Sequence, residues 1–138
     1  MRIRVMIVDD HPGMRMRLGR LLQQAPDIEV VGEAADGPSA LHRVGRLDPD
    51  IMLLDIEMPG MSGIEVTRAL RDQSSRVSVL AVSAHNDRHY IVRLLDSGAA
   101  GFIAKDDAPD ALVEAVRQVA RGRRGLVVNR QQAHSSRR

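Results

Sequence analysis

The stretch Ile3–Pro12, IRVMIVDDHP, decides the fold, because it joins a strand pattern, an acidic pair and a helix start. Its first part, Ile3–Val8, is short, continuous and rich in β-branched residues, as are strands that are buried on both faces of a parallel sheet. Pro12 suits the first turn of a helix. Asp9 and Asp10 thus follow a strand, and two such charges about 4 Å apart repel by roughly 4 kcal/mol at an effective dielectric near 20. Either solvent, as at an ordinary turn, or a bound cation would offset that repulsion.

The same alternation of strand and helix patterns continues along the chain. The predicted strands are Ile3–Val8, Glu29–Ala34, Ile51–Leu54, Val77–Val82 and Gly101–Ala104. Apolar residues at helical spacing predict helices that begin near Pro12, Pro38, Ser62, Asp87 and Pro109. Strands that alternate with helices favour right-handed crossovers and helices on both faces of a parallel sheet. We therefore predict an α/β fold with a doubly wound, five-stranded parallel sheet in the order 2-1-3-4-5.

The composition is that of an ordinary globular protein with one domain. The chain has 138 residues, of which 43% are apolar and 28% are charged. It contains no cysteine, which excludes disulfides and thiolate metal sites and fits a cytoplasmic protein. No apolar run approaches the roughly 20 residues that span a bilayer, and we see no signal peptide, so we expect no membrane association. Phe102 and Tyr90 are the only aromatic residues, which leaves almost nothing to stack on nucleic-acid bases.

Charge is distributed unevenly along the chain. Residues 1–116 carry a net charge of −5, whereas residues 117–138 contain seven arginines and no acidic residue. Helical periodicity stops after Arg121, and the apolar run from Leu126 to Val128 is too short to bury a core. We therefore predict a domain of residues 1–121 and a basic flexible tail or truncated linker, residues 122–138. The arginines could also attract nucleic acid without sequence specificity, but no base-reading pattern follows them.

Polar residues follow the strands at the edge where ligands bind in open parallel sheets. The carboxyl ends of the strands form that edge, and the strand order reverses there between the first and third strands. The candidate site residues are Asp9, Asp10, Asp55, Ser83 and Lys105. Carboxylate oxygens suit Mg²⁺, and a bound Mg²⁺ would make the aspartate pair tolerable. The lysine and the hydroxyl supply a positive charge and a donor for an incoming anion, so the set predicts a site that holds a phosphoryl group.

Four ordered motifs carry a family resemblance. VDDHP, LLDIEMPGMSG, VSAH and GFIAK, at these separations, resemble the receiver domain of two-component response regulators. The forms DDHP and SGAAGFIAKDD resemble the branch that usually carries a C-terminal LuxR-type helix-turn-helix. The resemblance covers residues 3 to about 121 and implies the flavodoxin-like receiver fold.

The resemblance implies a role for each acidic residue. Asp55 would be the phosphoacceptor, a carboxylate nucleophile that forms an acyl phosphate. Asp10 would bind Mg²⁺ directly and Asp9 would hold a coordinated water. Asp55 and the backbone carbonyl of Glu57 would complete the protein's share of the ligands. Lys105 would pair with Asp55 at rest and with the phosphoryl oxygen afterwards.

The resemblance also implies a conformational switch. Ser83 would move to donate a hydrogen bond to the phosphoryl group, drawing the loop before the fourth helix inward. Phe102 would be the aromatic residue that moves inward with it. The bistable face would consist of the fourth helix, fifth strand and fifth helix. Asp106 follows the lysine where many relatives have proline, so we expect a trans peptide there. We expect His11, at a helix start, to be only solvent-exposed.

The predicted function is a phosphorylation-dependent switch. A sensor histidine kinase would supply the phosphoryl group to Asp55. The altered face would then control an output, namely transcription through a C-terminal DNA-binding domain absent from this chain. Phosphorylation would also allow homodimer formation. The domain would catalyse only its own phosphotransfer and slow hydrolysis, without being a dedicated enzyme.

Three alternatives remain on the sequence alone. A stand-alone receiver would act by protein–protein interaction, and a pseudo-receiver would bind partners without phosphate. The intact set of site residues argues against the pseudo-receiver. A Mg²⁺-dependent phosphatase that uses an aspartyl phosphate would place a second acid two residues after the nucleophile, where Glu57 stands. Such an enzyme also needs a substrate cap, and this chain has no insertion to build one.

Overall fold

The structure is a computed structural model that describes residues 2–130. The β-strands are β1 (Ile3–Val8), β2 (Ile28–Ala34), β3 (Ile51–Asp55), β4 (Ser78–Ser83), β5 (Gly101–Ala104) and β6 (Leu126–Val128). The α-helices are α1 (Pro12–Gln23), α2 (Gly37–Leu47), α3 (Gly63–Asp72), α4 (Arg88–Asp96) and α5 (Ala108–Ala120), and a 3-10 turn, Lys105–Asp107, precedes α5. In this range every helix falls short of the length and apolar character that a bilayer crossing requires.

All the strands belong to one parallel sheet in the order β2-β1-β3-β4-β5-β6. The order of the first five strands and the alternation with helices confirm the predicted doubly wound, flavodoxin-like α/β fold. The predicted number of strands is wrong, because the described residues form a six-stranded sheet. The reversal of strand order still falls between β1 and β3, which leaves the predicted ligand-binding edge in place.

The additional strand, β6, lies in the segment that the sequence pattern predicts to be a flexible tail or truncated linker. It pairs in parallel with β5, with Leu126 beside Gly101 and Val128 beside Ile103. Leu126 is buried. A short edge strand needs little apolar surface, because the unpaired backbone groups of β5 supply its hydrogen bonds. The prediction of an unstructured segment is therefore wrong for residues 126–128, and residues 131–138 lie outside the described residues.

Two aliphatic clusters pack on opposite faces of the sheet. Successive residues of a strand point to opposite faces, so Met6 and Val8 of β1 enter one cluster and Val5 and Ile7 enter the other. The first cluster includes residues of α2, α3 and α4, and the second includes residues of α1 and α5. With both faces covered by helices, the carboxyl ends of the strands form the edge that is open to a polar ligand.

The start of α3 packs directly onto the end of β3. Ser62 and Glu65 cap the helix reciprocally, each side chain accepting a hydrogen bond from the other residue's amide. The amide of Gly63 donates to the carbonyl of Ile56 at 3.1 Å. A Cβ atom on Gly63 would lie 2.7 Å from the Cα atom of Ile56, so this position has no room for a side chain. This close approach holds the turn that follows Asp55.

Candidate functional site

Three carboxylates from two adjacent strands converge at the carboxyl edge of the sheet. Asp9 and Asp10 follow β1, and Asp55 ends β3. Ligand atoms of these three residues and of His11 all lie within 4.8 Å of one another. Asp9 and Asp55 are 0% and 2% exposed, so their carboxylates are largely removed from water. The structure thus brings together the acidic residues that the sequence places at this edge.

Each of the three aspartates has a buried oxygen without a hydrogen-bond partner among residues 2–130. These atoms are Asp9 Oδ2, Asp10 Oδ1 and Asp55 Oδ2. The Nδ1 atom of His11 lies 3.2 Å from Asp10 Oδ1, but the His11 side chain is 71% exposed. Buried carboxylate oxygens without partners are costly, and a hard divalent cation would satisfy all three. The donor set therefore fits Mg²⁺.

The second oxygen of Asp55 is already engaged by the protein. The amide of Glu57 donates to Asp55 Oδ1 at 3.1 Å, and Nζ of Lys105 lies 3.6 Å from the same oxygen. The resting pair of Lys105 and Asp55 that the resemblance implies is present in the structure. The predicted trans peptide between Lys105 and Asp106 is confirmed, because no cis bond occurs in the described part of the chain. The role of the Glu57 carbonyl as a metal ligand stays a prediction.

Asp55 is harder to ionise in the folded protein than in the unfolded chain. Burial raises the pKa of its carboxyl above the ordinary value of 3.8, and the charges of Asp9 and Asp10 add to the rise. The hydrogen bond from the Glu57 amide and the charge of Lys105 lower the pKa without cancelling that effect. Because the folded state binds the proton more tightly, ionisation of Asp55 costs folding stability. Without a metal, the site is therefore electrostatically strained at neutral pH.

Asp55→Asn is expected to raise the free energy of unfolding at pH 7 without Mg²⁺ by roughly 1–3 kcal/mol, the order of one partly screened like-charge contact. The wild-type protein loses this stability as the pH rises from 3.8 through the raised pKa of folded Asp55. The gap between the two proteins should therefore be absent at low pH and complete above that pKa. Urea denaturation followed by circular dichroism at several pH values measures it. An equal gain in the control Asp72→Asn, at an exposed aspartate, would contradict this prediction.

Ser83 lies at the end of β4, at the same carboxyl edge of the sheet, and its hydroxyl is hydrogen-bonded to the side chain of Glu57. It donates to Oε1 of Glu57 at 2.9 Å, and the amide of Ala84 donates to the same oxygen at 2.9 Å. The other oxygen of Glu57 lies 3.2 Å from Nε2 of His85. Partial burial alone would raise the pKa of Glu57, but the hydrogen bonds from Ser83 and Ala84 and the nearby His85 outweigh it and lower that pKa. Glu57 thus holds the Ser83 hydroxyl in this conformation.

The sequence pattern indicates the place of Glu57 but not this use of its side chain. Its position two residues after Asp55 puts it beside the pocket. Which group its carboxylate accepts from depends on the path of the loop between Ser83 and α4, and spacing along the chain does not determine that path. In the sequence, the only indication of a hydrogen bond to Glu57 is a residue with a hydroxyl group, Ser83, at the end of the neighbouring strand.

Phe102 is fully buried in the structure. Its exposed fraction is 0%, and it belongs to the cluster that includes residues of α2, α3 and α4. Val127 of β6 is its partner in the sheet and lies on the same face. The predicted inward movement of Phe102 requires an outward position at rest, and the structure shows the inward position.

Comparisons with known proteins find the same kind of domain. The family model of the response regulator receiver domain matches residues 5–117. The nitrate/nitrite response regulator protein NarP of Escherichia coli is 43% identical over 118 residues, which are 86% of this chain and 55% of the relative. The transcriptional regulatory protein DegU of Brevibacillus brevis is 40% identical over 121 residues, which are 88% of this chain and 51% of that protein. The chain therefore spans about half the length of these curated relatives.

A solved structure agrees with the sequence matches. The signal receiver domain of NarL from Mycobacterium tuberculosis is 41% identical and superposes with a TM-score of 0.85. The match covers 88% of this chain and 98% of that domain. The likeness extends over the whole sheet edge that carries the aspartates, because the matched family region begins in β1 and ends in α5.

Proposed function

The chain belongs to the response regulator receiver domain family, and from that membership we propose that Asp55 accepts a phosphoryl group from a phosphohistidine of a sensor histidine kinase. Receiver domains of response regulators interact with sensor kinases. The observation that carries the proposal is the buried carboxylate of Asp55, one oxygen of which has no hydrogen-bond partner among the described residues while the other is paired with Lys105. A nucleophile needs an available oxygen and a counter-charge for the incoming anion, and this arrangement supplies both.

The proposed transfer is a displacement at phosphorus. A carboxylate oxygen of Asp55 forms the new P–O bond while the P–N bond to the kinase imidazole breaks. The imidazole nitrogen keeps the electron pair of the broken bond and takes up a proton from solvent. Lys105 lies 3.6 Å from Asp55 Oδ1, close enough for its ammonium group to follow the charge onto the phosphoryl oxygens. The product is an acyl phosphate on Asp55.

The family is generally Mg²⁺-dependent, and we propose that Asp9, Asp10 and Asp55 hold the ion together with the Glu57 carbonyl. A bound Mg²⁺ would neutralise part of the negative charge that the carboxylates and the phosphoryl group bring together. The three unpartnered oxygens on those aspartates support this assignment. The chain's own contribution is to hold the carboxylates close before the phosphoryl group arrives.

We further propose that the phosphorylated domain controls transcription through a DNA-binding domain of the kind carried by the relatives. The chain matches about half of each of two regulators, DegU and NarP. Receiver domains can dimerise, and we propose a homodimer as one output of phosphorylation. Response regulators are typically cytoplasmic, and we propose the same location here. The domain would catalyse only its own phosphotransfer and slow dephosphorylation, so we do not propose a dedicated enzyme.

Incubation of the protein with Mg²⁺ and acetyl phosphate, a small acyl phosphate donor, is expected to add one phosphoryl group. Intact-mass spectrometry measures the adduct, which should be stable in acid and labile in base because it is an acyl phosphate. Chelation of Mg²⁺ by EDTA should prevent its formation, because the clustered carboxylates would then repel the donor. Without any adduct, a phosphate-independent receiver would be the better description. Rapid turnover of many phosphate esters would support the aspartyl-phosphate phosphatase instead.

A further inference from the structure

The segment Leu126–Arg130, here called the β6 strap, connects the far edge of the sheet to the candidate site. Its first three residues form β6, and their pairing with β5 is close. A Cβ atom on Gly101 would lie 3.0 Å from the carbonyl oxygen of Leu126 and 3.2 Å from its Cβ atom. The strap is therefore packed against β5, the strand that leads directly to Lys105.

The end of the β6 strap is tied to the loop between β4 and α4. Nδ2 of Asn129 donates to the carbonyl of Asn86 at 3.1 Å, and Nδ2 of Asn86 donates to Oδ1 of Asn129 at 3.4 Å. Asn129 is only 8% exposed, Asn86 is half-buried, and both hydrogen bonds of the pair are partly buried. Asn86 comes three residues after Ser83. The strap thus contacts the loop that carries the hydroxyl expected to bind the phosphoryl group.

A second tie runs from the β6 strap to the turn after Lys105. The amide of Arg130 donates to Oδ2 of Asp107 at 2.9 Å, and a guanidinium nitrogen of Arg130 lies 3.6 Å from the carboxylate of Asp110. Ser83, Lys105 and Asn129 also line one small cavity of about 50 Å³. The strap therefore contacts both loops that leave the candidate site on this side of the sheet.

Hydrogen bonds link the first residues of the β4–α4 loop to Ser83 and to Glu57. The hydroxyl of Ser83 and the amide of Ala84 are both held by Glu57, and the amide of His85 donates to the Ser83 hydroxyl at 3.0 Å. To bind a phosphoryl group on Asp55, Ser83 must leave Glu57. The residues that follow it, including Asn86, would be drawn along with it.

We propose that the contacts of the β6 strap change with the phosphorylation state of Asp55, through the hydrogen-bonded pair of Asn86 and Asn129. Movement of Ser83 toward the phosphoryl group breaks that pair and loosens the strap from the β4–α4 loop. Coupling between two sites is reciprocal, so loss of the pair also makes it easier for the loop to adopt the phosphorylated conformation. The proposal rests on the proposed phosphorylation of Asp55, and it gives residues 126–130 a signalling role beyond that of an edge strand.

Beryllium fluoride with Mg²⁺, an analogue of the phosphoryl group, tests the proposal on the full chain. Amide hydrogen exchange should become faster at residues 126–130 when the analogue binds the wild-type protein. In Asn129→Ala, exchange of this segment should be fast without the analogue. The analogue concentration for half-saturation, followed by amide shifts of the β4–α4 loop, should fall by about 3- to 10-fold, because the loop no longer breaks these partly buried hydrogen bonds to move.

Two further variants separate the specific tie from general loosening of the β6 strap. Asn86→Ala removes the other side chain of the pair and should lower the half-saturation concentration in the same direction. Arg124→Ala is the matched control, because the Arg124 guanidinium binds Ser78 at the start of β4, away from the β4–α4 loop. Arg124→Ala should leave the analogue concentration for half-saturation within about twofold of the wild-type value, because a surface substitution has a small effect.

These experiments test the role of the β6 strap separately from the proposed phosphoacceptor function. Binding of the analogue without faster exchange at residues 126–130 would overturn the role of the strap alone. Equal half-saturation in Asn129→Ala, Asn86→Ala and wild type would do the same. If the wild-type protein did not bind beryllium fluoride at all, the assignment of the phosphoacceptor site would be wrong. The proposed response of the strap would then be wrong with it.

Discussion

Asp55→Asn is expected to eliminate the covalent adduct that Mg²⁺ and acetyl phosphate form with the protein. The amide of asparagine is not a nucleophile, and it fills the same space as the carboxylate, so the loss should be complete while the fold persists. The Glu57 amide can still donate to the amide oxygen as it does to Asp55 Oδ1. Intact-mass spectrometry after incubation with the donor measures the loss, and circular dichroism confirms that the variant is folded.

The variant Asp55→Asn also tests which aspartate of the cluster accepts the phosphoryl group. Asp9 and Asp10 lie in the same cluster, and either could take the phosphoryl group if the donor were simply attracted to the metal. Asp72→Asn serves as the control, because Asp72 is exposed on α3, and it should retain the full adduct. An adduct that survives in Asp55→Asn and maps to β1 would show that the phosphoacceptor has been assigned to the wrong strand.

Gly63→Ala is expected to lower the free energy of unfolding by at least about 3 kcal/mol, which is the upper range for single substitutions. The new Cβ atom would lie 2.4 Å from Cδ1 and 2.7 Å from Cα of Ile56, and 3.1 Å from the carbonyl oxygen of Asp55. The Ile56 side chain can rotate away, but the backbone contacts require α3 to move off the end of β3. Urea denaturation followed by circular dichroism gives the change.

A second helical glycine provides the matched comparison. Gly45 lies in α2, and a Cβ atom there would meet nothing within 4 Å. Gly45→Ala should therefore stabilise the protein by roughly 0.5–1 kcal/mol through helix propensity alone. If Gly63→Ala lowered the free energy of unfolding by less than about 1 kcal/mol, the close approach of α3 to β3 would not be holding the turn after Asp55.

The elements that depend on local pattern could be predicted from the sequence. β1 and β5 begin and end at the predicted residues, because each is a short run of mostly apolar residues that is followed by a charged residue. The convergence of Asp9, Asp10 and Asp55 follows from the same pattern, since residues that end neighbouring parallel strands meet at one edge. For these residues, knowledge of the strand order was enough to place the site.

The parts that could not be predicted depend on contacts between distant residues. The pairing of β6 with β5 needs the absent side chain of Gly101 and the free backbone groups of an edge strand, neither of which produces a periodic pattern. The hydrogen bond between Ser83 and Glu57 depends on the path of a loop and on a side-chain rotamer. The burial of Phe102 likewise depends on packing between distant residues, because its cluster joins side chains of α2, α3 and α4.

The pairing of β6 with β5 covers backbone groups that would otherwise lie at the edge of the sheet. A chain shortened to residue 121, at the limit of the helical periodicity, would uncover the backbone amides and carbonyls of residues 101–103 on the side that β6 occupies. An uncovered strand of this kind can recruit a strand from another molecule, which leads to swapped dimers or aggregates. Removal of β6 would therefore turn β5 from an inner strand of the sheet into an unprotected edge strand.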